Sequence, residues 1–311
     1  MKPLRIGTRG SKLALWQAEH VRAKLREETD VESEIVVIKT AGDRFASSGI
    51  SEIGAKGVFI KEIEEALLSG QIDIAVHSMK DVPTDFCSAC RISIGFARED
   101  SRDCLISRKG ETLAKLRPGA RVGTSSVRRA SQLRAFRPDL EIVPLRGNVD
   151  TRLRKLDAAE YDAVVVAKAG IERLGLSPRI TEILAHEIML PAPGQGALGI
   201  EFCADQENLY KPFLEKLEDW PTVCSVRCER ALQDELQGGC TIPLGAWARI
   251  ENSQMKLDAR VLNVEGTESI HRQAVGSPEA SEHIGRDLAR RLLDAGADRL
   301  LRIAGRIAGG G

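Results

Sequence analysis

The chain has 311 residues, 42% of them hydrophobic and 29% charged, and its basic and acidic side chains balance to a net charge of zero. That composition belongs to a folded protein of two or three domains, not to a disordered chain. It excludes attraction of the whole chain to nucleic acid or an anionic membrane, so any basic site must be local. Residues 1–6 run directly into strand-like sequence, and no apolar run approaches the length of a membrane span, so neither signal peptide nor membrane anchor is expected. The seven cysteines are an odd number and read as reduced thiols in a cytoplasm. Cys87-x-x-Cys90 and Cys224-x3-Cys228 lie far apart, the second on a predicted helix, so they read as ordinary thiols and no metal is expected.

In chain order, residues 4–8 form a short strand ending at Arg9-Gly10-Ser11. A helix follows with Ser11 as N-cap and Leu13, Leu15, Trp16, Val21 and Leu25 on its apolar side. Residues 35–39 are a second strand. Residues 44–57, rich in Gly and Ser and without a period, read as a mobile loop. Gly57-Val58-Phe59 leads into an amphipathic helix through Leu68. In the following strand Ile72, Ile74 and Val76 alternate with Asp73 and Ala75, until His77, Ser78, Lys80 and Asp81 crowd together and Pro83 ends the regular pattern. A second β-α-β unit follows: a strand to Gly123, a helix from Val127 capped by Thr124-Ser125-Ser126, a strand over 141–145, a helix over 149–156 and an apolar strand over 163–167. Residues 188–200, with two prolines and three glycines, suit a hinge returning the chain to the first unit. The last third reads as a helix from Pro221 to Gly238-Gly239, strands over 244–250, 255–264 and 269–276, and a helix over about 278–295. The fold class is therefore α/β: two lobes, each with a mainly parallel sheet and a cleft between them, followed by an α+β module.

Arginine concentration is the strongest chemical signal. Eight arginines and no lysine lie between Arg121 and Arg154, opposed by Asp139, Glu141 and Asp150. Strand-to-helix turns ending in Arg9, Lys80 and Arg128 place cations where free N–H groups already favour anions, and arginine suits bidentate carboxylate or phosphate recognition. With 4% aromatic residues, the chain lacks the stacking platforms of a single-strand binder, and it has no nucleotide-binding glycine loop. A small molecule bearing many carboxylates fits best. Asp81 is then one carboxylate among cations, suited to stabilising developing positive charge and moving a proton, or else a local cap or arginine partner. Cys240 follows Gly238-Gly239 and precedes Thr-Ile-Pro, outside any apolar run. It is either a covalent attachment point or a structural thiol.

HSMKDVP at 77–83, GTSSVRR at 123–129, LRGNVDTRL at 145–153, PAPGQGALGIE at 191–201 and GGCTIPLGA at 238–246 together resemble the porphobilinogen deaminase (hydroxymethylbilane synthase) family, in order along nearly the whole chain. The resemblance implies two lobes similar to periplasmic binding proteins and a third domain, with boundaries expected at 1–97 plus 196–216, 98–195 and 217–311. It implies a dipyrromethane cofactor held by a thioether on Cys240. Four porphobilinogens are condensed onto it head to tail with loss of ammonia, and hydrolysis releases the linear tetrapyrrole 1-hydroxymethylbilane. A chain of up to six rings carries about a dozen carboxylates, which would repel one another without matched cations. The family pattern gives Asp81 the catalytic role, at the pyrrole N–H groups of an azafulvenium-like intermediate. It assigns cofactor binding to Cys240, Lys80, Asp81, Ser126, Arg128, Arg129, Arg146 and Gly147. Substrate carboxylates fall to Arg9, Ser11, Lys56, Arg146, Arg152 and Arg173, and residues 44–57 match the family's mobile segment. Lys168 departs from the pattern, as either an added carboxylate contact or a solvated side chain. Residues 86–90 also depart, lacking the usual proline and glycine. The expected partners are porphobilinogen and the growing oligopyrrole, with the protein a monomer. The rival reading is a non-catalytic two-lobed binding protein for polycarboxylates, which would need the arginines but not Gly238-Gly239-Cys240.

Overall fold

The computed structural model describes residues 3–39, 60–236 and 242–301. The chain divides into two compact units, Met1–Glu99 with Ala197–Val223 and Asp100–Gly196 with Cys224–Gly311.

The first unit is built on a five-stranded sheet of β1 (Leu4–Thr8), β2 (Ser33–Val37), β3 (Ile74–Ser78), β4 (Cys90–Gly95) and β10 (Leu198–Cys203), in the order β2-β1-β3-β10-β4. β1 runs parallel to β2 and β3, and β10 runs antiparallel to both of its neighbours, so four strands point one way. Ile74 and Val76 pack with Ile6, Leu198, Ile200 and Phe202 against Val21 and Leu25 of the helix Lys12–Thr29. Ala75, between them, faces Ile63, Ala66 and Leu67 of the helix Lys61–Leu68. The two-residue alternation thus fills a core on each side of the sheet, each buried Leu, Ile or Val contributing about 1.5–3 kcal/mol.

The second unit repeats the plan with β5 (Asp103–Ser107), β6 (Arg121–Gly123), β7 (Glu141–Val143), β8 (Ala163–Ala167) and β9 (Glu182–Ile183), ordered β7-β6-β8-β5-β9. β6 is parallel to β7 and β8, while β5 is antiparallel to β8 and β9. β8 is apolar throughout because it is covered twice: Val165 belongs to one core, Val164 and Val166 to another. The same unit holds an antiparallel sheet of β11 (Leu244–Glu251), β12 (Gln254–Leu262) and β13 (Ser269–Gly276), covered by the helices Trp220–Glu235 and Ser281–Asp294. Those helices cross at Gly285, where a Cβ would lie 2.2 Å from the Cys228 carbonyl oxygen.

Strands β4, β5, β9 and β10 are additional to those read from the sequence. The difference matters most at β10, which begins inside the stretch expected to be a hinge and is an interior strand of its sheet, paired on both edges. Its alternation of Leu198, Ile200 and Phe202 with Gly199, Glu201 and Cys203 is hidden by the Pro- and Gly-rich residues before it. Among the described residues no helix is long and apolar enough to cross a membrane.

Candidate active site

In each sheet the chain leaves one strand toward one side and returns on the other: from β1 to β2 and back to β3, and from β6 to β7 and back to β8. The carboxyl ends of β1 and β3, and of β6 and β8, therefore flank a reversal of strand order, where open α/β sheets leave a crevice for ligands.

In the first unit Arg9, Ser11, Lys80 and Asp81 lie at that edge. Ser11 (φ −71°, ψ 148°) caps its helix by accepting a 3.2 Å hydrogen bond from the Ala14 N–H, and the helix's first turn holds no acidic residue. Its positive end is thus left for an outside anion. After β3 the residues Met79–Asp81 make one 3-10 turn. Met79 and Val82 are buried, the Met79 N–H donating to the Ala197 carbonyl at 3.0 Å. Asp81, between these two pins, is exposed and has no hydrogen bond or ion pair among the described residues. Behind it, Gln17 donates to the Ser78 hydroxyl at 2.8 Å, and buried His77 lies with Nε2 2.8 Å from Glu201 Oε2.

In the second unit Ser126 caps the helix Val127–Phe136, accepting from the Arg129 N–H at 3.4 Å, and again no acidic residue stands in the first turn. Ser125 Oγ accepts from the Leu145 N–H at 3.0 Å, tying the turn after β6 to the one after β7. There Arg146 is exposed, and Gly147 has φ +110°, where a Cβ would also meet Thr151 Cγ2 at 2.8 Å. Arg152 Nε donates to the Gly147 carbonyl at 2.8 Å. Arg173, buried on the helix after β8, donates to the Gly196 carbonyl at 3.0 Å.

Arg128 and Arg129 are 4% and 6% exposed and turn inward onto Asp103, which is 0% exposed. Arg128 Nη1 donates to Asp103 Oδ2 at 2.7 Å, and Arg129 Nη2 and Nε donate to Oδ1 at 2.7 and 3.0 Å. Gln195 Nε2 adds a 3.0 Å bond to the same oxygen. Burial works to raise the Asp103 pKa, but the two guanidiniums hold it well below the usual carboxylate range. Burial also lowers the pKa of Arg128. Removing the carboxylate alone would strand two buried cations, at about 3–5 kcal/mol. One carboxylate between two guanidiniums leaves a net positive charge, and Arg128 Nε is a buried donor with no acceptor among the described residues.

Lys56, Cys240 and residues 44–57 lie outside the described residues. Lys168 is neither a solvated side chain nor an idle cation: its Nζ lies 2.7 Å from Glu172 Oε1 and 3.3 Å from Asp100 Oδ2, and Asp100 also binds Arg102. Cys90 and Cys203 face each other across β4 and β10, with Cys87 packed beside them. Three of the eight clustered arginines serve the fold. Arg121 donates to the Glu160 carbonyl, Arg134 to the Val264 carbonyl, and Arg137 to Asp139 and the Leu113 carbonyl. The sequence reading missed Asp103 and Gln195. The available signals were an acid opening the apolar run DCLIS and an amide inside PAPGQGALG.

Residues 4–211 match the family model described as porphobilinogen deaminase, dipyromethane cofactor binding domain, and residues 223–294 match porphobilinogen deaminase, C-terminal domain. A porphobilinogen deaminase of Chlorobium phaeobacteroides (strain DSM 266) is 48% identical over 305 residues, covering 96% of this chain and 97% of that protein. One of Pelobacter propionicus is 46% identical over 301 residues, covering 96% of each. Among solved structures, the second substrate-binding domain of a putative amino acid ABC transporter from Streptococcus pneumoniae aligns with 70% of this chain and 92% of its own at 13% identity and a TM-score of 0.45, a likeness that carries no functional argument. Two family models in sequence order and relatives matched along nearly their whole length agree: the chain belongs to the porphobilinogen deaminase family.

Proposed function

We propose that Asp81 is the catalytic carboxylate and Cys240 the covalent anchor of the primer in this enzyme. The activity is that of a porphobilinogen deaminase (hydroxymethylbilane synthase), a transferase that joins four porphobilinogens head to tail with loss of ammonia and releases 1-hydroxymethylbilane by hydrolysis. The observation that carries the assignment of Asp81 is its exposed carboxylate, without a partner among the described residues, held between buried Met79 and Val82 at the end of β3. As ammonia leaves porphobilinogen, positive charge spreads over the pyrrole. A fixed carboxylate at the ring N–H stabilises that charge and then takes the proton released when the new carbon–carbon bond forms.

The arginine pair fits a polycarboxylate group, because its surplus charge and the unpartnered Arg128 Nε are what a further carboxylate oxygen would satisfy. In this reading Lys80, Ser126, Arg128, Arg129, Arg146 and Gly147 hold the dipyrromethane side chains, and Cys240 holds the group itself through a thioether. When bound, that group supplies the nucleophilic pyrrole carbon to which the first substrate is joined. Arg9, Ser11, Lys56, Arg146, Arg152 and Arg173 receive the carboxylates of incoming rings. The separate cores of the three sheets support division into residues 1–97 with 196–216, 98–195 and 217–311. The zero net charge fits a protein without nucleic-acid or anionic-membrane partners, and the odd number of cysteines fits the reducing cytoplasm; that the protein works as a monomer is part of the same proposal.

Asp81→Asn keeps the shape and removes the charge. Porphobilinogen binding should survive while kcat falls about 10²-fold or more, and near-normal turnover would refute the role. Cys240→Ser should give protein without attached pyrroles. A dipyrrole adduct still present by intact mass, or a positive Ehrlich reaction, would exclude the anchor.

A further inference from the structure

We infer that Asp103 is a positioning residue for this reaction: it fixes the Arg128 and Arg129 guanidiniums in one orientation and leaves the pair one positive charge and one donor for a ligand carboxylate. The inference rests on the reading that these arginines hold carboxylates of the primer. Two guanidiniums side by side repel each other, and long side chains at a helix start would otherwise sample many rotamers. Here each is held at more than one point. Arg128 Nη1 reaches both Asp103 Oδ2 and the Leu190 carbonyl at 2.7 Å. Arg129 grips Asp103 Oδ1 through Nε and Nη2, with Nη1 3.4 Å from the Val165 carbonyl.

The carboxylate is itself locked. Gln195 Nε2 donates to Asp103 Oδ1 at 3.0 Å and to the Ser101 carbonyl at 2.6 Å, and Gln195 is 1% exposed. The glutamine of PAPGQGALG therefore holds the acid that holds the arginines. Asp103 Oδ1 accepts three bonds and is saturated, while the Arg128 Nε–H finds no acceptor among the described residues. The triad is a rigid fork with an unmet demand for one more carboxylate, the arrangement that preorganised binding of a polyanion requires.

The test compares Asp103→Asn, Gln195→Leu, Arg129→Leu and the double variant Asp103→Asn/Arg129→Leu in the full chain. It measures dipyrrole loading by intact mass, then kcat and KM per loaded enzyme with porphobilinogen, beside the melting temperature. Asp103→Asn should lower kcat per loaded enzyme about 10- to 100-fold with KM changed less than about 3-fold, the signature of misplacement. Gln195→Leu should lower kcat about 3- to 10-fold by the same route. The double variant should lose less than the product of the two single losses, because Asp103 acts through the arginines and in the absence of Arg129 has only Arg128 left to hold. A melting temperature that drops while kcat per loaded enzyme stays at the wild-type value overturns the inference, leaving Asp103 as a structural counterion. A folded Asp103→Asn without adduct counts for the inference when Arg129→Leu also lacks it, and against it when Arg129→Leu is loaded. If Asp103→Asn does not fold, Gln195→Leu decides, and unchanged kcat there refutes the idea. Normal loading and turnover in Arg129→Leu would sink the underlying reading as well. An impaired Arg129→Leu beside a normal Asp103→Asn removes only the positioning role.

Discussion

Replacing Gly199 by alanine would disturb Asp81 without touching it. Gly199 lies on β10 opposite His77 of β3, and a Cβ there would stand 2.3 Å from Met79 Sδ and 3.2 Å from Ile92 Cγ2. Non-bonded atoms of this size settle about 3.5–4.0 Å apart, so Met79 must retreat by more than about 1 Å. Met79 is 1% exposed, so it cannot turn out into solvent without leaving the core, and it is the first residue of the turn that carries Asp81. Overpacking of this kind costs about 1–3 kcal/mol. A shift of about 1 Å in a catalytic group costs up to about 10²-fold in rate. Gly199→Ala should therefore lower stability by urea titration and reduce kcat, with KM changed less, because Lys80 moves with the turn but Arg9, Arg146, Arg152 and Arg173, the cations proposed for the incoming substrate, lie outside it. Shortening the obstruction in Gly199→Ala/Met79→Ala should recover part of kcat while stability falls further. A single Gly199→Ala variant with wild-type kcat, and stability within about 0.5 kcal/mol of wild type, would show that the 3-10 turn does not transmit packing to Asp81.

His186 stacks on Trp247, ring centroids 3.5 Å apart, and its buried Nε2 has no partner among the described residues. Burial first, and then the charge of Arg102, push its pKa down to about 4. Below pH 6.5 the unfolded chain takes up a proton that the folded one refuses. The stability this group contributes is therefore intact above pH 6.5 and lost as pH falls toward 4, amounting to roughly 1–2 kcal/mol once solvent screening of the partly exposed ring is allowed for. His186→Phe keeps the stack without the proton, so the gap between variant and wild-type urea midpoints should change as pH falls from 7 to 4.5, and parallel profiles would contradict this. Among the thiols, burial pushes Cys104 up to about 12 and raises Cys90 and Cys228 as well. Half-buried Cys87 should be alkylated by iodoacetamide ahead of those three, and simultaneous labelling of all four in the folded protein would contradict their burial.

Local signals carried much of the fold. Ser11 and Ser126 cap the helices their positions suggest, AVVVA is a doubly covered strand, and the three C-terminal strands fall within a few residues of the expected bounds. What stayed hidden is non-local. Nothing near Arg128 in sequence announces that its counterion is Asp103, on a strand 25 residues earlier, or that an amide from residue 195 locks the pair. Arginine density overstated the ligand surface for the same reason, since Arg121, Arg134 and Arg137 find backbone carbonyls that only the folded chain supplies. Asp81 was legible because a strand ending in a polar cluster before proline says where the side chain goes. Its lack of a partner among the described residues was not.

The position of β10 bears on how the polypeptide is made. It lies between β3 and the edge strand β4, so the first sheet has a gap beside β3 until residues 198–203 arrive, long after the strands on either side. During synthesis the emerging chain carries two strands whose inner edges have nothing to pair with, the condition under which neighbouring chains add on. The amino-terminal half is for that reason a poor piece to express alone. The second sheet draws all five strands from one continuous stretch and has no such wait, so it can be complete while its predecessor in the sequence is still unfinished.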